Sequence, residues 1–254
     1  MQVFNKYSEL YDLIYFDKDY SKETDYIINI IQQYNPGTRE ILEYGSGTGI
    51  HGSLLVEKGY KVTGVELSKT MMEKAQNLIL RKGLTAKFKL YNDDISILKI
   101  EKKFDVAISL FHVISYLTEN GPLDRTFQNA SYHLESGGLF IFDIWYAPAV
   151  LTLKPQNKIK EFENGVLKIL RFTEPVMDYN KNTVVVKFKL IVLDKTDGKV
   201  SQLEEIHKMR YFSIPEIEYL AEINSFEIVK AEEFLSEKEP SENTWGVCFI
   251  LRKK

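Results

Sequence analysis

ILEYGSGTGIHG, residues 41–52, runs from an apolar strand into a glycine-rich turn and on into a helix. The apolar run ends at Tyr44, and Gly45, Gly47 and Gly49 follow. Glycines there let the chain turn with positive φ and bring backbone N–H groups close to a ligand. The same alternation extends in both directions. Upstream, residues 20–34 place Tyr26, Ile27, Ile30, Ile31 and Tyr34 on one helical face, with Ser21 as the expected N-cap and Asn35-Pro36-Gly37 as the stop. Downstream, a helix from Ile50 ends at Gly59, residues 61–66 form a second strand, and Ser68 caps a helix that runs to Arg81. Residues 86–91 and 104–110 read as strands three and four, residues 123–133 as a helix, and Ser136-Gly137-Gly138 as the turn into a fifth strand at 139–144. Apolar strands separated by helices predict a parallel sheet covered on both faces. Right-handed crossovers make it doubly wound, with ligands at the carboxyl ends of the strands.

After residue 150 the texture changes. Residues 161–171, 183–193 and 200–212 are β-rich, with turns at Lys181-Asn182 and Asp197-Gly198. Val186, Phe188, Leu190 and Val192 alternate with Lys187 and Lys189, which predicts a half-exposed antiparallel layer. A helix opening at Pro215 and strands at 226–231 and 247–252 then close the sheet with a hairpin. The expected organisation is an α/β core of residues 1–150 and 213–254, with residues 1–34 as an N-terminal lid and helix. Residues 151–212 are expected to form an antiparallel β insertion.

The composition excludes several classes. The 254 residues hold 33 Lys+Arg against 36 Asp+Glu, a net charge of -3, and one cysteine, Cys248. A chain of this length buries a core without disulfides, and the charge balance argues against a nucleic-acid surface. Residues 1–20 carry Lys6, Glu9, Asp12, Asp17, Lys18 and Asp19, so no signal-peptide core forms there. The most apolar stretch, residues 139–151, is interrupted by Asp143 and Pro148 and is too short to span a bilayer. No His or carboxylate spacing suggests a metal. The expectation is a cytoplasmic protein with a small-molecule partner and neither nucleic acid nor membrane; a homodimer is compatible with it.

Two registers compete for the glycine turn. Gly47, Gly49 and Gly52 fit G-x-G-x-x-G, the dinucleotide fingerprint. Gly45, Gly47 and Gly49, preceded by Glu43, fit E-x-G-x-G-x-G, the motif of S-adenosylmethionine sites. Both cofactors contain adenosine, and both registers use Glu66 at the end of the second strand to accept from the ribose hydroxyls. The strand ends at Tyr44, so the dinucleotide register begins two residues late. Glu43 is placed to hold the methionine ammonium directly or through water. Asp93 and Asp94 follow the third strand, where an acidic group can accept from the adenine amine, and Ile95 can pack on the ring. Asp93 and Asp94 also read as residues that only cap or turn the chain. Leu110 and Phe111 end the fourth strand beside the sulfonium, with Tyr15 and Leu67 completing the expected cofactor set.

ILEYGSGTG (41–49), VTGVELS (62–68), NDDI (92–95), FDVAISLFHVISYL (104–117) and LESGGLFIFDIW (134–145) together resemble the class I S-adenosylmethionine-dependent methyltransferases. The resemblance implies a seven-stranded sheet with its last strand antiparallel, S-adenosylmethionine as cofactor and S-adenosylhomocysteine as product. YSELYDLIYFDKDY near the N-terminus, GTGIH, FDIWYAP and EIHKMRYFS are similar to the sugar N,N-dimethyltransferases of desosamine and mycaminose type, in which an antiparallel platform covers the active site. That group tends to have His where Tyr116 stands.

Methyl transfer is an in-line displacement in which alignment and exclusion of water do most of the work. Tyr11, His112, Tyr116 and His207 are the candidate catalytic residues, and Trp145 and Tyr146 the candidate substrate-pocket walls. His51 is a candidate neighbour of the methionine tail, and His133, at a helix C-terminus, reads as structural. Tyr7, Tyr11, Tyr15 and Tyr20 read equally as a lid over the cofactor or as packing for the first helix. The favoured function is methylation of a small polar molecule, an N-methylation of a nucleotide-linked aminosugar. O-methylation, a noncatalytic cofactor-binding role and an NAD(P)-dependent oxidoreductase are the alternatives; the last requires a second mononucleotide half where residues 151–212 read as antiparallel β.

Overall fold

The computed structural model describes residues 7–254. In chain order these form α1 (Tyr7–Ile14), α2 (Tyr20–Tyr34), β1 (Glu40–Tyr44), α3 (Ile50–Glu57), β2 (Lys61–Val65), α4 (Lys69–Lys82), β3 (Phe88–Tyr91) and β4 (Phe104–Ser109). A 3₁₀ turn (Val113–Tyr116), α5 (Asn120–His133), β5 (Leu134–Tyr146) and α6 (Ala147–Leu153) follow. The chain closes with β6 (Lys158–Glu163), β7 (Leu167–Asp178), β8 (Thr183–Asp194), β9 (Val200–Phe212), α7 (Ile214–Ile223), β10 (Phe226–Glu233) and β11 (Gly246–Lys253).

β3, β2, β1, β4 and β5 are parallel neighbours in that order. β11 lies antiparallel to β5 and to β10, so the core has the expected seven strands with the last reversed. Successive strands run outward from β1 to β3 and then jump back to β4. The crevice between β1 and β4 is therefore the switch point where such sheets bind ligands. Alternation along the strands builds both faces. Phe140, Phe142 and Ile144 of β5 pack with Leu123 and Phe127 of α5 and Ile217 and Leu220 of α7. Leu139 and Ile141 pack on the other side with Ile27, Ile31, Leu55 and Ile79 of α2, α3 and α4.

β6 to β9 form an antiparallel sheet. Trp145 of β5 pairs with Gly246 of β11 on one side and Tyr211 of β9 on the other. β9 therefore joins on the β4 side, beyond the end of β4 at Ser109, and the antiparallel sheet stands over the switch point. α1 bridges the two layers: Tyr7, Tyr11 and Ile14 pack against Met71 of α4 and against Phe162, Ile169, Leu190 and Val192 of the antiparallel sheet.

Several local expectations need correction. The run 161–171 is two strands, because Asn164 accepts from the N–H groups of Val166 and Leu167 through Oδ1 at 2.8 Å and turns the chain. β5 starts at Leu134, with the Ser136–Gly138 segment absorbed as a bulge opposite Phe104 and Val106. The cap of α2 is Asp19, whose Oδ1 accepts from Lys22 N–H at 2.9 Å, not Ser21. α6 was not foreseen. Among the described residues no helix is long and apolar enough to cross a membrane.

Candidate active site

The turn after β1 is held from below and from the side. The N–H groups of Gly45 and Ser46 donate to Val65 O at 2.9 and 3.0 Å, which ties the turn to the end of β2. Gly45 (φ 70°) and Gly47 (φ 54°) occupy the left-handed region. Glu66, 8% exposed, accepts from Gly47 N–H at 2.8 Å through Oε2 and from Ser68 N–H at 2.7 Å through Oε1. One carboxylate thus joins the glycine turn to the first turn of α4. Burial raises its pKa, opposed by the backbone donors of Ser68, Gly47 and Leu67. Each oxygen keeps accepting capacity for a further donor. Asn92 donates to the carbonyls of Glu66 and Leu67 at 2.7 and 3.0 Å and so fixes the ends of β2 and β3 together.

Above this turn lies a cavity of about 980 Å³. Its first end is walled by Gly45, Gly47, Glu66, Leu67, Asp94 and Ile95, its middle by Leu110, Phe111, His112, Tyr116, Tyr11 and Tyr15. The far end is the inner face of the antiparallel sheet, with Trp145 and His207. Fourteen of the eighteen residues expected from the sequence share this one space. The other four do not. Glu43 faces α3 instead: a Cβ on Gly52 would fall 2.6 Å from its Oε2. It is 2% exposed, that oxygen has no hydrogen-bond partner, and burial, with Glu66 nearby, pushes its pKa up to about 8. Gly49 is the N-cap of α3 and sits on Ala75 and Phe88. Asp93 folds back to accept from Asp94 N–H at 2.7 Å. Tyr146 packs against the α5–α7 core because it points to the opposite side of β5 from Trp145.

The end of β4 turns through two consecutive non-glycine residues with positive φ, Phe111 at 65° and His112 at 61°. Such residues are held there only when the surroundings fix them. Asp143, 1% exposed on β5, does so: Oδ1 accepts from His112 N–H at 3.0 Å and Oδ2 lies 2.7 Å from His112 Nδ1. Burial alone would raise the Asp143 pKa, but His112 more than reverses this and lowers it. The ring is thereby oriented with Nδ1 toward the carboxylate, which leaves Nε2 as the atom for the cavity. Tyr116 and His207 form a second pair, hydroxyl to Nδ1 at 2.7 Å. Burial, helped by Arg171, drops the His207 pKa to about 4, so this imidazole is neutral at pH 7. Burial raises the Tyr116 pKa well above 10, so its hydroxyl keeps its proton and shares a hydrogen bond with His207 Nδ1 whose direction follows the imidazole tautomer.

The segment before α2 is pinned onto the site. Glu23 bonds His51 Nε2 at 2.8 Å and forms an ion pair with Lys18, whose ammonium lies 4.1 Å from the Phe111 ring centre. The Tyr11 and Tyr15 rings lie with centres 4.6 Å apart and tilted by 47°, and Tyr15 meets Phe111 edge-on at 5.3 Å. Tyr11 packs in the cluster around α1 and also lines the cavity.

Cofactor fit can be tested on the cradle itself. A Cβ on Gly47 would meet no protein atom within 4 Å, and the residue lies on the cavity wall, so the space beside the turn is open to a ligand. With Glu66 beside it and Asp94 and Ile95 beyond, the wall matches an adenosine carrying an aminoacyl tail. The family described as "Methyltransferase domain" matches residues 41–138. A solved S-adenosylmethionine-dependent methyltransferase from Clostridium acetobutylicum superposes with TM-score 0.83 at 26% identity over 98% of both chains. Residues 41–138 carry a methyltransferase domain. The structure of Streptomyces venezuelae DesVI resembles the methyltransferase chain equally in fold, with TM-score 0.83 over 98% of each at 20% identity. In sequence, a dTDP-3-amino-3,4,6-trideoxy-alpha-D-glucopyranose N,N-dimethyltransferase of Streptomyces venezuelae is 28% identical over 144 residues, which is 56% of this chain and 58% of that protein.

Sequence reasoning missed Asp143, Ser68 as a site residue, and the inner face of β6 and β7. Asp143 had a signal: an acid in the apolar strand FIFDIW, at its carboxyl end. Arg171 had none, because its role depends on which face of β7 meets the cavity.

Proposed function

We propose that the chain transfers a methyl group from S-adenosylmethionine to the amine of a small polar acceptor, an aminosugar carried on a nucleotide. The observation that carries this reading is the single cavity of about 980 Å³ that runs from the glycine turn to the antiparallel sheet. It lies at the upper end of the range for ligand sites, roughly 300–1,000 Å³, and leaves room for an acceptor beside the cofactor. Residues 1–150 and 213–254 are the cofactor-binding core on this reading, and residues 151–212 the substrate cover, with α1 as the lid.

S-adenosylmethionine, when bound, supplies a methyl on a cationic sulfur already activated for displacement. Glu66 holds ribose hydroxyls, Asp94 and Ile95 the adenine, and the turn at Gly45 and Gly47 the aminoacyl end. Tyr11, Tyr15, Phe111 and Trp145 keep water from the acceptor. Desolvation lowers the pKa of an acceptor amine toward its neutral, nucleophilic form. Alignment of such a pair is worth roughly 7–11 kcal/mol. Tyr116 and neutral His207 offer a hydrogen-bonding pair with no added positive charge to compete with the amine. A hydroxyl acceptor is the second reading, favoured by the His112–Asp143 pair, since a hydroxyl needs a base and Nε2 faces the cavity. On this reading the enzyme is cytoplasmic.

Methyl-labelled cofactor incubated with a panel of amino and hydroxy sugars, free and nucleotide-linked, tests this. Label is expected on the amine of a nucleotide-linked aminosugar. Label on hydroxyls alone supports the second reading, and cofactor binding without transfer to any acceptor supports a noncatalytic role.

A further inference from the structure

The antiparallel sheet treats its charges differently on its two faces. On the outer face of β6 and β7, Glu161 pairs with Lys168 at 2.8 Å, and Glu163 pairs with Lys195 of the next turn at 3.1 Å. The inner face carries Lys158 and Lys160 on β6, opposite Thr173 and Arg171 on β7, and all four line the cavity. Lys160 and Arg171 are direct cross-strand neighbours. Like charges in that position repel. Among the described residues no carboxylate lies within 4.0 Å of Lys158, Lys160 or Arg171, in contrast to Lys168 three register positions away on the other face.

Arg171 is the inner end of this row. Its guanidinium sits among the rings of Phe188, Phe162 and Tyr15, at 4.8, 5.1 and 5.9 Å from their centres. One of its donors reaches Tyr7 Oη at 3.4 Å, and its buried Nε has no hydrogen-bond partner. Five donors in a rigid fork are thus set in an aromatic wall with one weak contact made. Burying a cation without an anion is costly unless the anion arrives with the ligand. Lys160 and then Lys158, both exposed, continue the row from Arg171 to the cavity mouth.

We propose that Arg171, Lys160 and Lys158 form an anion subsite on the inner face of β6 and β7 that takes the phosphate or diphosphate of the methyl acceptor. The inference rests on the reading of the cavity as shared by cofactor and acceptor. The subsite spans two cross-strand positions, which suits an extended dianion better than a single carboxylate. Arg171 grips one phosphate bidentately and the lysines screen the next. The subsite then selects acceptors by their phosphates and leaves the amine near Tyr116 and His207.

Calorimetry on the S-adenosylhomocysteine-loaded chain tests this with thymidine diphosphate, thymidine and inorganic pyrophosphate. The diphosphate is expected to bind, with affinity that falls as salt rises, and thymidine to bind at least tenfold more weakly. Pyrophosphate binding that is lost in the same variants supports a phosphate subsite. Arg171→Gln and Lys160→Gln are each expected to weaken the diphosphate about tenfold, the loss of one charge-assisted contact. Lys168→Gln, on the opposite face, is the control and should change it less than twofold. S-adenosylhomocysteine affinity should stay within twofold in all three. If Arg171→Gln fails to fold, exposed Lys160→Gln decides alone. Thymidine binding as tightly as its diphosphate, or equal losses in Lys160→Gln and Lys168→Gln, would overturn the subsite. Failure to bind S-adenosylhomocysteine at all would instead count against the methyltransferase reading.

Discussion

Gly45 and Gly47 share a left-handed backbone, yet they should fail in different ways when a methyl is added. At Gly47, with φ 54°, an alanine Cβ meets no protein atom within 4 Å. Its stability cost is the backbone term alone, about 1–2 kcal/mol, or roughly 2–8 °C in Tm for a chain of this size. The added methyl enters the wall beside the carboxylate of Glu66, where the cofactor must lie, so affinity for S-adenosylhomocysteine is expected to fall at least about tenfold. At Gly45, with φ 70°, the Cβ falls 2.5 and 2.7 Å from the Val113 methyls. The same backbone term is then joined by an overpacking cost of about 1–3 kcal/mol. Gly45→Ala should therefore show the larger drop in Tm. Thermal unfolding and titration with S-adenosylhomocysteine on both variants read the two effects separately. Wild-type affinity in Gly47→Ala, or a Tm loss in Gly47→Ala exceeding that in Gly45→Ala, would refute the assignment of the turn as the cofactor cradle.

Glu66→Gln removes the charge but keeps the shape; titration should show S-adenosylhomocysteine binding weakened about tenfold or more, the value of one charge-assisted hydrogen bond. Glu43→Gln concerns stability. Because the folded-state pKa is raised to about 8, the native state holds an extra proton between the unfolded value near 4.5 and about 8, and stability falls as pH rises through that window. The full cost of ionisation is on the order of 5 kcal/mol, so denaturant melts of Glu43→Gln should lose that slope and show a higher midpoint than wild type at pH 8. Asp143→Asn separates the two acceptor readings in steady-state kinetics. A hydroxyl acceptor should lose turnover about 100-fold or more through mispositioned His112, an amine acceptor less than tenfold, and S-adenosylhomocysteine affinity should hold in either case.

The parallel core was legible because its signals are local. Apolar runs, the glycine turn and Ser68 set the elements to within about three residues apart from the start of β5, and Ser68 and Gly83 are the caps of α4. The cofactor end followed from position along those strands, with Glu66 and Asp94 each at a strand's carboxyl end. Glu43 misled because motif spacing places a residue along the chain and not on a face of its strand. Ile41 and Glu43 point to the α3 side, Leu42 and Tyr44 to the other. The acceptor end was least legible. Asp143 gains meaning only when β5 lies beside the end of β4, and Arg171 only when β9 docks onto Trp145 and turns the inner face of β7 toward the cavity. Those contacts join residues far apart in sequence, and no local pattern carries them.

Calorimetric titration of the purified chain with S-adenosylhomocysteine, and separately with NAD, is the most direct measurement. One-to-one binding of S-adenosylhomocysteine in the micromolar range or tighter, weakened in Glu66→Gln, with no heat from NAD, is the expected result. Binding of NAD with none of S-adenosylhomocysteine would contradict the reading of the glycine turn and of everything built on it.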